Sequence, residues 1–168
     1  MATLAKDLLT PRVAWRPMRE ADLEAVAALE ARIYAAPWTI GNFRDALAAG
    51  YAARLGERDG RIVAYGVLML GPGEAQILNL SVIPELRRQG LGRELLRYFV
   101  DAARWLHAGQ IFLEVRTSNV AAIALYETEG FVAVARRLAY YPGAGVDAPR
   151  EDALVMRRAL HSSAPPTR

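Results

Sequence analysis

The sequence predicts an α/β domain in which a mixed sheet of about seven strands carries about four helices on its two faces. Three observations predict it. Strand-like and helix-like segments alternate as one strand, two helices, a pair of strands and then two strand-helix units, an order that packs as helices over both faces of one sheet. Asp59-Gly60 separates two β-rich segments and is a strong short-range hairpin signal, so at least part of the sheet is antiparallel. Finally, residues 75–83 form a nearly unbroken apolar run, as a strand covered on both faces does.

In chain order, Val13 to Met18 reads as the first strand. Ala21 to Ala35 is a helix, with Leu23, Val26, Ala27, Glu30 and Ile33 at helical spacing. Pro37 stops it, Thr39 is placed to cap a second short helix carrying Phe43 and Leu47, and Gly50 lies where a C-terminal glycine is expected. Tyr51 to Glu57 and Arg61 to Leu70 form the hairpin, Gly71-Pro72-Gly73 turns the chain, and Ala75 to Ile83 is a central strand. From Gly90 to His107, Leu91, Leu95, Leu96, Phe99, Val100 and Ala103 share one face of an amphipathic helix. Ile111 to Arg116 is a short strand, Asn119 to Thr128 an amphipathic helix closed by Gly130, and Phe131 to Tyr141 and Glu151 to Ala159 complete the sheet. The expected domain covers 12–160, with a flexible leader at 1–11 and a flexible tail at 161–168.

A chain of 168 residues fits one domain and leaves little for a second core. With 53% apolar and 23% charged residues it is neither a disordered chain nor, lacking a long apolar run, a membrane-spanning one. The net charge of +3 is too small and dispersed to argue for direct nucleic-acid binding. There is no cysteine, which excludes disulfides, thiolate metal sites and a cysteinyl covalent intermediate. No targeting or anchoring signal is evident, so the cytoplasm is the expected compartment, and a monomer is the expected state. No metal is expected.

The most informative stretch is LNLSVIPELRRQGLGRELL, Leu78 to Leu96, where an apolar strand enters a loop rich in Arg, Gln and Gly and then a helix. Gly90 and Gly92 let the backbone approach a ligand, and the first turn of the helix leaves N-H groups free to bind an anion such as a pyrophosphate. Arg87, Arg88 and Arg93 bracket the same place and can add charge-assisted bonds. This is neither a Walker loop, since no Gly-Lys-Ser/Thr follows, nor the dinucleotide fingerprint, which needs a third glycine in register. An ordinary strand-to-helix loop with solvated arginines is the plain alternative. The string Arg87-Arg88-Gln89-Gly90-Leu91-Gly92 resembles the Q/R-x-x-G-x-G/A signature of the GNAT acetyltransferases, in the position between strand and helix that this family uses. The resemblance implies the GNAT fold, with a mixed and mostly antiparallel sheet. It also implies that the amides of this loop, including that of Leu91, hold the pyrophosphate of acetyl-CoA. Leu80, Ser81 and Val82 would bind the pantetheine arm through their backbone, where this strand splays from its neighbour.

In Ile111-Phe112-Leu113-Glu114-Val115 a single acid interrupts a buried-looking strand, which is unfavourable unless the carboxylate is paired, hydrated or neutralised. Glu114 is therefore either a general base acting on an ammonium substrate or the partner of Arg116 or another arginine. Asn119 and Tyr126 are seven residues apart, nearly two helical turns, and so share a face. Tyr126 has a phenol suited to protonating a leaving thiolate, or it is a packing aromatic; Asn119 contacts a ligand or only caps the helix. LEVRTSNVAAIALYETEGF (Leu113 to Phe131), RRLAYYP (Arg136 to Pro142) and EDALVM (Glu151 to Met156) closely resemble the RimI-type enzymes, which acetylate the N-terminal alanine of a small-subunit ribosomal protein. That resemblance implies Glu114 as proton acceptor, Asn119 as a coenzyme contact and Tyr126 as proton donor. Ala36-Pro37-Trp38 matches the segment bordering the acceptor groove in that subfamily, and Tyr34, Trp38, Tyr140 and Tyr141 are the candidate acceptor contacts, with packing at the sheet edge as their alternative role. The similarity spans about residues 12–158; the leader, the tail and the loop from Gly143 to Arg150 have no assigned counterpart.

With no cysteine, with His107 and His161 away from the proposed cleft and with no G-x-S-x-G elbow, direct attack of the amine on the thioester is the expected route. Glu114 would free the amine, a strand amide would polarise the carbonyl and Tyr126 would protonate the sulfur. The expected partner is the N-terminus of a protein substrate. Two rival readings are an acetyltransferase for lysines or a small amine, and a non-catalytic acyl-CoA-binding regulatory module.

Overall fold

The computed structural model describes residues 12–160. The expected leader, tail and His161 lie outside the described residues. The elements are β1 (Ala14–Pro17), a 3-10 turn (Glu20–Asp22), α1 (Leu23–Ile33), α2 (Ile40–Ala48), β2 (Ala52–Arg58), β3 (Arg61–Gly71), β4 (Glu74–Val82), a 3-10 turn (Pro84–Leu86), α3 (Leu91–Trp105), β5 (Gln110–Arg116), α4 (Val120–Thr128), β6 (Val132–Tyr141) and β7 (Glu151–Ala159).

Local chemistry accounts for the boundaries. Asp22 accepts two bonds from the Arg16 guanidinium, at 2.8 and 2.7 Å, and a third from the Arg19 amide at 2.8 Å, so the entry to the first helix tightens into a 3-10 turn. The helix expected to reach Ala35 stops at Ile33, because Tyr34 turns extended (φ −119°, ψ 142°). Thr39 caps α2 as expected: its hydroxyl accepts from the Asn42 amide at 3.2 Å while the Asn42 side chain accepts from the Thr39 amide at 2.8 Å. In α3 the six residues read as one apolar face are all buried. The expected amphipathic character of α4 is not found. Its sequence is apolar nearly all round, only Tyr126 is buried, and Val120 is 71% exposed; the helix is held by the Asn119 cap and by Ala122, Ile123 and Leu125 against the core.

The seven strands form one sheet in the order β1-β2-β3-β4-β5-β7-β6. Five neighbouring pairs are antiparallel and one, β4 with β5, is parallel. β7 inserts between β5 and β6, so β6 is an edge strand, exposed along nearly its whole length. On one face α1 and α2 cover Met18, Leu55, Tyr65 and Val67 with Leu23, Val26, Phe43 and Ala46. On the other, α3 and α4 cover Leu68, Ile77, Ile111, Leu113 and Met156 with Leu95, Leu96, Phe99 and Tyr126.

Two irregularities position the site. Opposite Val67 and Leu68, β4 carries Asn79 and Ile77, so Leu78 is an extra residue and β4 bulges there. The β4–β5 ladder covers only Glu74–Ile77 against Gln110–Leu113. Beyond it the strands part, and the β5-facing edge of β4 from Leu78 to Val82 has no strand partner. Beyond the exposed Glu74, β4 alternates buried and half-buried residues along its whole length and departs from the fully covered strand its apolar run suggested.

Candidate active site

The gap between the parted strands is a cavity of about 420 Å³. Its walls include Leu78, Asn79 and Leu80 of β4, Leu113 to Arg116 of β5, and Asn119 and Tyr126 of α4. Glu30, Tyr34 and Trp38 close it from the α1–α2 side, and Tyr141 and Glu151 from the β6–β7 side. Residues distant in sequence are thus assembled where the sheet parts.

Glu114 lies on β5 just past the last ladder pair, with its side chain 14% exposed. Its partner is not Arg116 but Arg137 of β6, whose Nε is 2.8 Å from the carboxylate. Arg116 instead pairs with Glu151 at 3.1 Å, donates to the Pro142 carbonyl and lies over the Tyr141 ring. Tyr126 is almost wholly buried, and desolvation first, then the neighbouring phenols of Tyr34 and Tyr141, pushes its pKa well above the ordinary tyrosine value. The phenol therefore holds its proton at neutral pH. Asn119 caps α4, its side-chain oxygen accepting from the Ala122 amide at 3.2 Å, and it also borders the cavity.

Of the four aromatic candidates, Tyr34, Trp38 and Tyr141 line the cavity; Tyr140 does not. Tyr140 sits outside, edge-on to Tyr141 at 5.1 Å, and hydrogen bonding to the Glu114 carboxylate, with burial next, raises its pKa. Burial chiefly pushes the Tyr141 phenol up to about 12. Trp38 also packs on Phe43 with ring centroids 5.1 Å apart, so part of its role is core packing.

The turn at the start of α3 is open to solvent from Arg87 to Gly90. Gly90 has φ +86°, which disfavours any side chain, and a Cβ there would meet nothing within 4 Å; the constraint is backbone conformation beside open space. Arg88 is also left-handed, at φ 62°. A Cβ on Gly92 would touch Leu125, Val82 and Leu80 at 3.5 to 3.9 Å, so the turn adjoins the parted edge of β4. The individual side chains are less uniform than the sequence suggested. Leu91 is buried, leaving only its amide for a ligand. Arg93 is committed to Glu129 at 3.0 Å and to Thr128, Arg87 donates to the Val82 carbonyl at 3.3 Å, and Gln89 accepts from Arg58 at 3.4 Å. Ser81 is buried behind the β4 edge, bonded to Tyr34 and Asn79. The parted edge of β4 at Leu80 and Val82, the open glycine turn and the first turn of α3, whose N-H groups have no partner within the helix, thus lie side by side.

Sequence reasoning missed Glu30 and Asn79. Glu30 is 2% exposed, and its carboxylate accepts from the Tyr65 hydroxyl at 2.6 Å, the Asn79 amide group at 3.1 Å and the Trp38 backbone N-H at 3.3 Å. The signal was present. Glu30 falls on the apolar stripe of α1 and Asn79 interrupts LNLSV, the same feature that singled out Glu114. Among the described residues there is no group of three or more His, Cys, Asp or Glu placed to hold a metal, and no helix long and apolar enough to cross a membrane.

The model of the Acetyltransferase (GNAT) family matches residues 18–131. The chain belongs to the GNAT acetyltransferase family. It is similar to the [ribosomal protein bS18]-alanine N-acetyltransferase of Escherichia coli K12, 37% identical over 135 residues, covering 80% of this chain and 89% of that one. It is similar also to the N-alpha-acetyltransferase RimI of Mycobacterium tuberculosis, 38% identical over 138 residues, covering 78% of this chain and 85% of that one. The crystal structure of the Escherichia coli ribosomal-protein-S18-alanine N-acetyltransferase superposes with a TM-score of 0.83 at 32% identity, covering 94% of this chain and 99% of that one. The GNAT fold expected from the loop signature is the fold found, and GNAT membership makes the chain an N-acetyltransferase homologue along most of its length.

Proposed function

We propose that this chain transfers the acetyl group of acetyl-CoA to the α-amine of a protein N-terminus, the acceptor being the N-terminal alanine of the small-subunit ribosomal protein bS18. The likeness to the bS18-alanine enzymes supports the acceptor. The observation that carries the reaction is the cavity in the parted sheet, with Glu114 and Tyr126 on its walls and the open glycine turn at the end of the same strand edge. Its walls carry three carboxylates, Glu30, Glu114 and Glu151, against two guanidiniums, Arg137 on Glu114 and Arg116 on Glu151, surroundings that favour an ammonium group.

When bound, acetyl-CoA supplies an activated thioester. The N-H groups of the α3 first turn and of Gly90 and Gly92 bind its pyrophosphate, and the unpaired edge of β4 from Leu78 to Val82 holds the pantetheine arm. Glu114 takes the proton from the α-ammonium, directly or through water, and a β4 amide facing the gap donates to the carbonyl oxygen. Tyr126, protonated at neutral pH, gives its proton to the departing sulfur. The same reading sets the enzyme in the cytoplasm, as a monomer whose partner is its protein substrate.

Steady-state kinetics at saturating acetyl-CoA tests the assignment. Glu114→Gln and Tyr126→Phe should each lower kcat by about 10²–10⁴, the usual worth of a positioned acid or base. Near-normal kcat in both variants would remove the two residues from the chemistry.

A further inference from the structure

The wall of the cavity opposite Glu114 contains one continuous hydrogen-bond chain whose direction is fixed. It begins at Glu30, an ionisable group buried to 2% exposure with no basic side chain bonded to it; its compensation is three donors, Tyr65, Asn79 and Trp38 N-H. A carboxylate accepts only. Asn79 must therefore turn its NH2 group toward Glu30, at 3.1 Å, and its carbonyl oxygen the other way. That oxygen, also acceptor only, lies 3.0 Å from the Ser81 hydroxyl, so the one proton of Ser81 points at Asn79. Ser81 meets the Tyr34 hydroxyl at 2.8 Å with lone pairs alone, and the one proton of Tyr34 is consumed there. At the end of the chain the phenol oxygen of Tyr34, a residue of the cavity wall, has lone pairs left and no proton to give. Burial, the main cause, raises the Tyr34 pKa, which keeps that proton in place.

We propose that Glu30 is a positioning residue that sets the polarity of this wall, so that Tyr34 meets the acceptor as a hydrogen-bond acceptor and recognises an N-H group of the incoming peptide. This rests on the reading of the cavity as the amine-acceptor site and adds what neither family membership nor the catalytic pair supplies: the sign of the contact made by Tyr34 and the distant group that imposes it. It also explains why polar residues persist on the buried faces of α1 and β4. Tyr65, in the core behind α1 and off the cavity wall, becomes part of the recognition device through Glu30.

Ser81→Ala and Glu30→Leu test it. Ser81→Ala leaves the three bonds of Glu30 in place and removes the acceptor of the Tyr34 proton, which then turns to the cavity. Glu30→Leu removes the acceptor that holds the Asn79 NH2 group, so Asn79 can reverse, Ser81 donate to Tyr34 and Tyr34 turn its own proton to the cavity. In each the KM for an acceptor peptide should rise about tenfold while the KM for acetyl-CoA changes less than twofold. Glu30→Gln is the contrasting variant: Asn79 and the Trp38 N-H share Oε1, so the glutamine oxygen takes that place, its NH2 group faces the Tyr65 hydroxyl, the direction of the chain is kept and the acceptor KM changes less than twofold. Tyr34→Phe should raise the acceptor KM as much as Ser81→Ala, and the Ser81→Ala/Tyr34→Phe double variant should be no worse than either single, since all act at one contact. Unchanged acceptor KM in both Ser81→Ala and Glu30→Leu, or fully additive losses in the double variant, would overturn the inference with the acetyltransferase reading intact. Absence of peptide acetylation by the parent protein would instead overturn that reading and the inference with it.

Discussion

Replacing Gly66 with alanine should damage the protein far more than the size of a methyl group suggests. Gly66 lies in the middle of β3, paired with Arg54 on β2 and Leu80 on β4. A Cβ added there would stand 2.7 Å from the Asn79 carbonyl oxygen, 2.8 Å from Phe99 Cε2 and 3.2 Å from Leu95 Cδ2. To reach an ordinary contact of 3.4 Å, the Asn79 backbone must retreat by about 0.7 Å and the Phe99 ring by about 0.6 Å. Neither has room: Phe99 and Leu95 are fully buried, and Asn79 is tied to the bulge of β4 and to Glu30. Overpacking of a tight core costs about 1–3 kcal/mol, and with a backbone atom among the obstacles the upper end applies. At about 2–4 °C per kcal/mol for a chain of this size, that is a loss of about 6–12 °C in Tm. Because the displaced atom belongs to Asn79, the acceptor KM should rise with the loss of stability. Thermal unfolding of Gly66→Ala beside Gly71→Ala, whose nearest atom would be at an ordinary 3.8 Å, provides assay and control. A Gly66→Ala protein melting within about 2 °C of the parent would show that the sheet yields where the packing says it cannot.

Gly90→Ala should act through conformation alone, since no atom lies within 4 Å of the new methyl: φ +86° costs about 1–2 kcal/mol, and the KM for acetyl-CoA should rise severalfold with the acceptor KM unchanged. An unchanged acetyl-CoA KM would separate this turn from coenzyme binding. Asp22, Glu129 and Glu151 all titrate below the ordinary carboxylate range, held there chiefly by hydrogen bonds from Arg16, Arg97 and Ser118 respectively. Depressed native values contribute stability that is fully present above the unfolded pKa of about 4 and is lost as pH falls through the native values. Tm should therefore be flat from neutral pH to about 5 and drop below about 4, less steeply in Glu129→Gln; a decline already under way above pH 6 would contradict this.

Much of this was legible in the sequence because the signals were local. The stripe of α3, the Thr39 cap, the hairpin at Asp59-Gly60 and the glycines at 90 and 92 each follow from a few neighbouring residues, and each is present in the structure. What was not legible depends on pairing at a distance. Nothing near β7 announces that it inserts between β5 and β6, and that insertion brings Arg137, rather than the adjacent Arg116, to Glu114. The bulge at Leu78, which helps to open the sheet, leaves no mark in an apolar run. α4 was misjudged in character because a helix capped at Asn119 and packed on one side tolerates apolar residues on the other. Glu30 could have been found: an acid on an apolar stripe demanded partners, and only the fold shows that Tyr65, Asn79 and Trp38 are those partners.

The central claim is that the parted strands β4 and β5 deliver an acetyl group to a protein α-amine. Incubation with acetyl-CoA and a peptide beginning with alanine and carrying an internal lysine, read by fragment mass, tests it most directly. The account predicts a single acetyl group on the alanine nitrogen and none on a companion peptide whose N-terminus is blocked. Acetyl on the lysine alone, or on neither group, would contradict it.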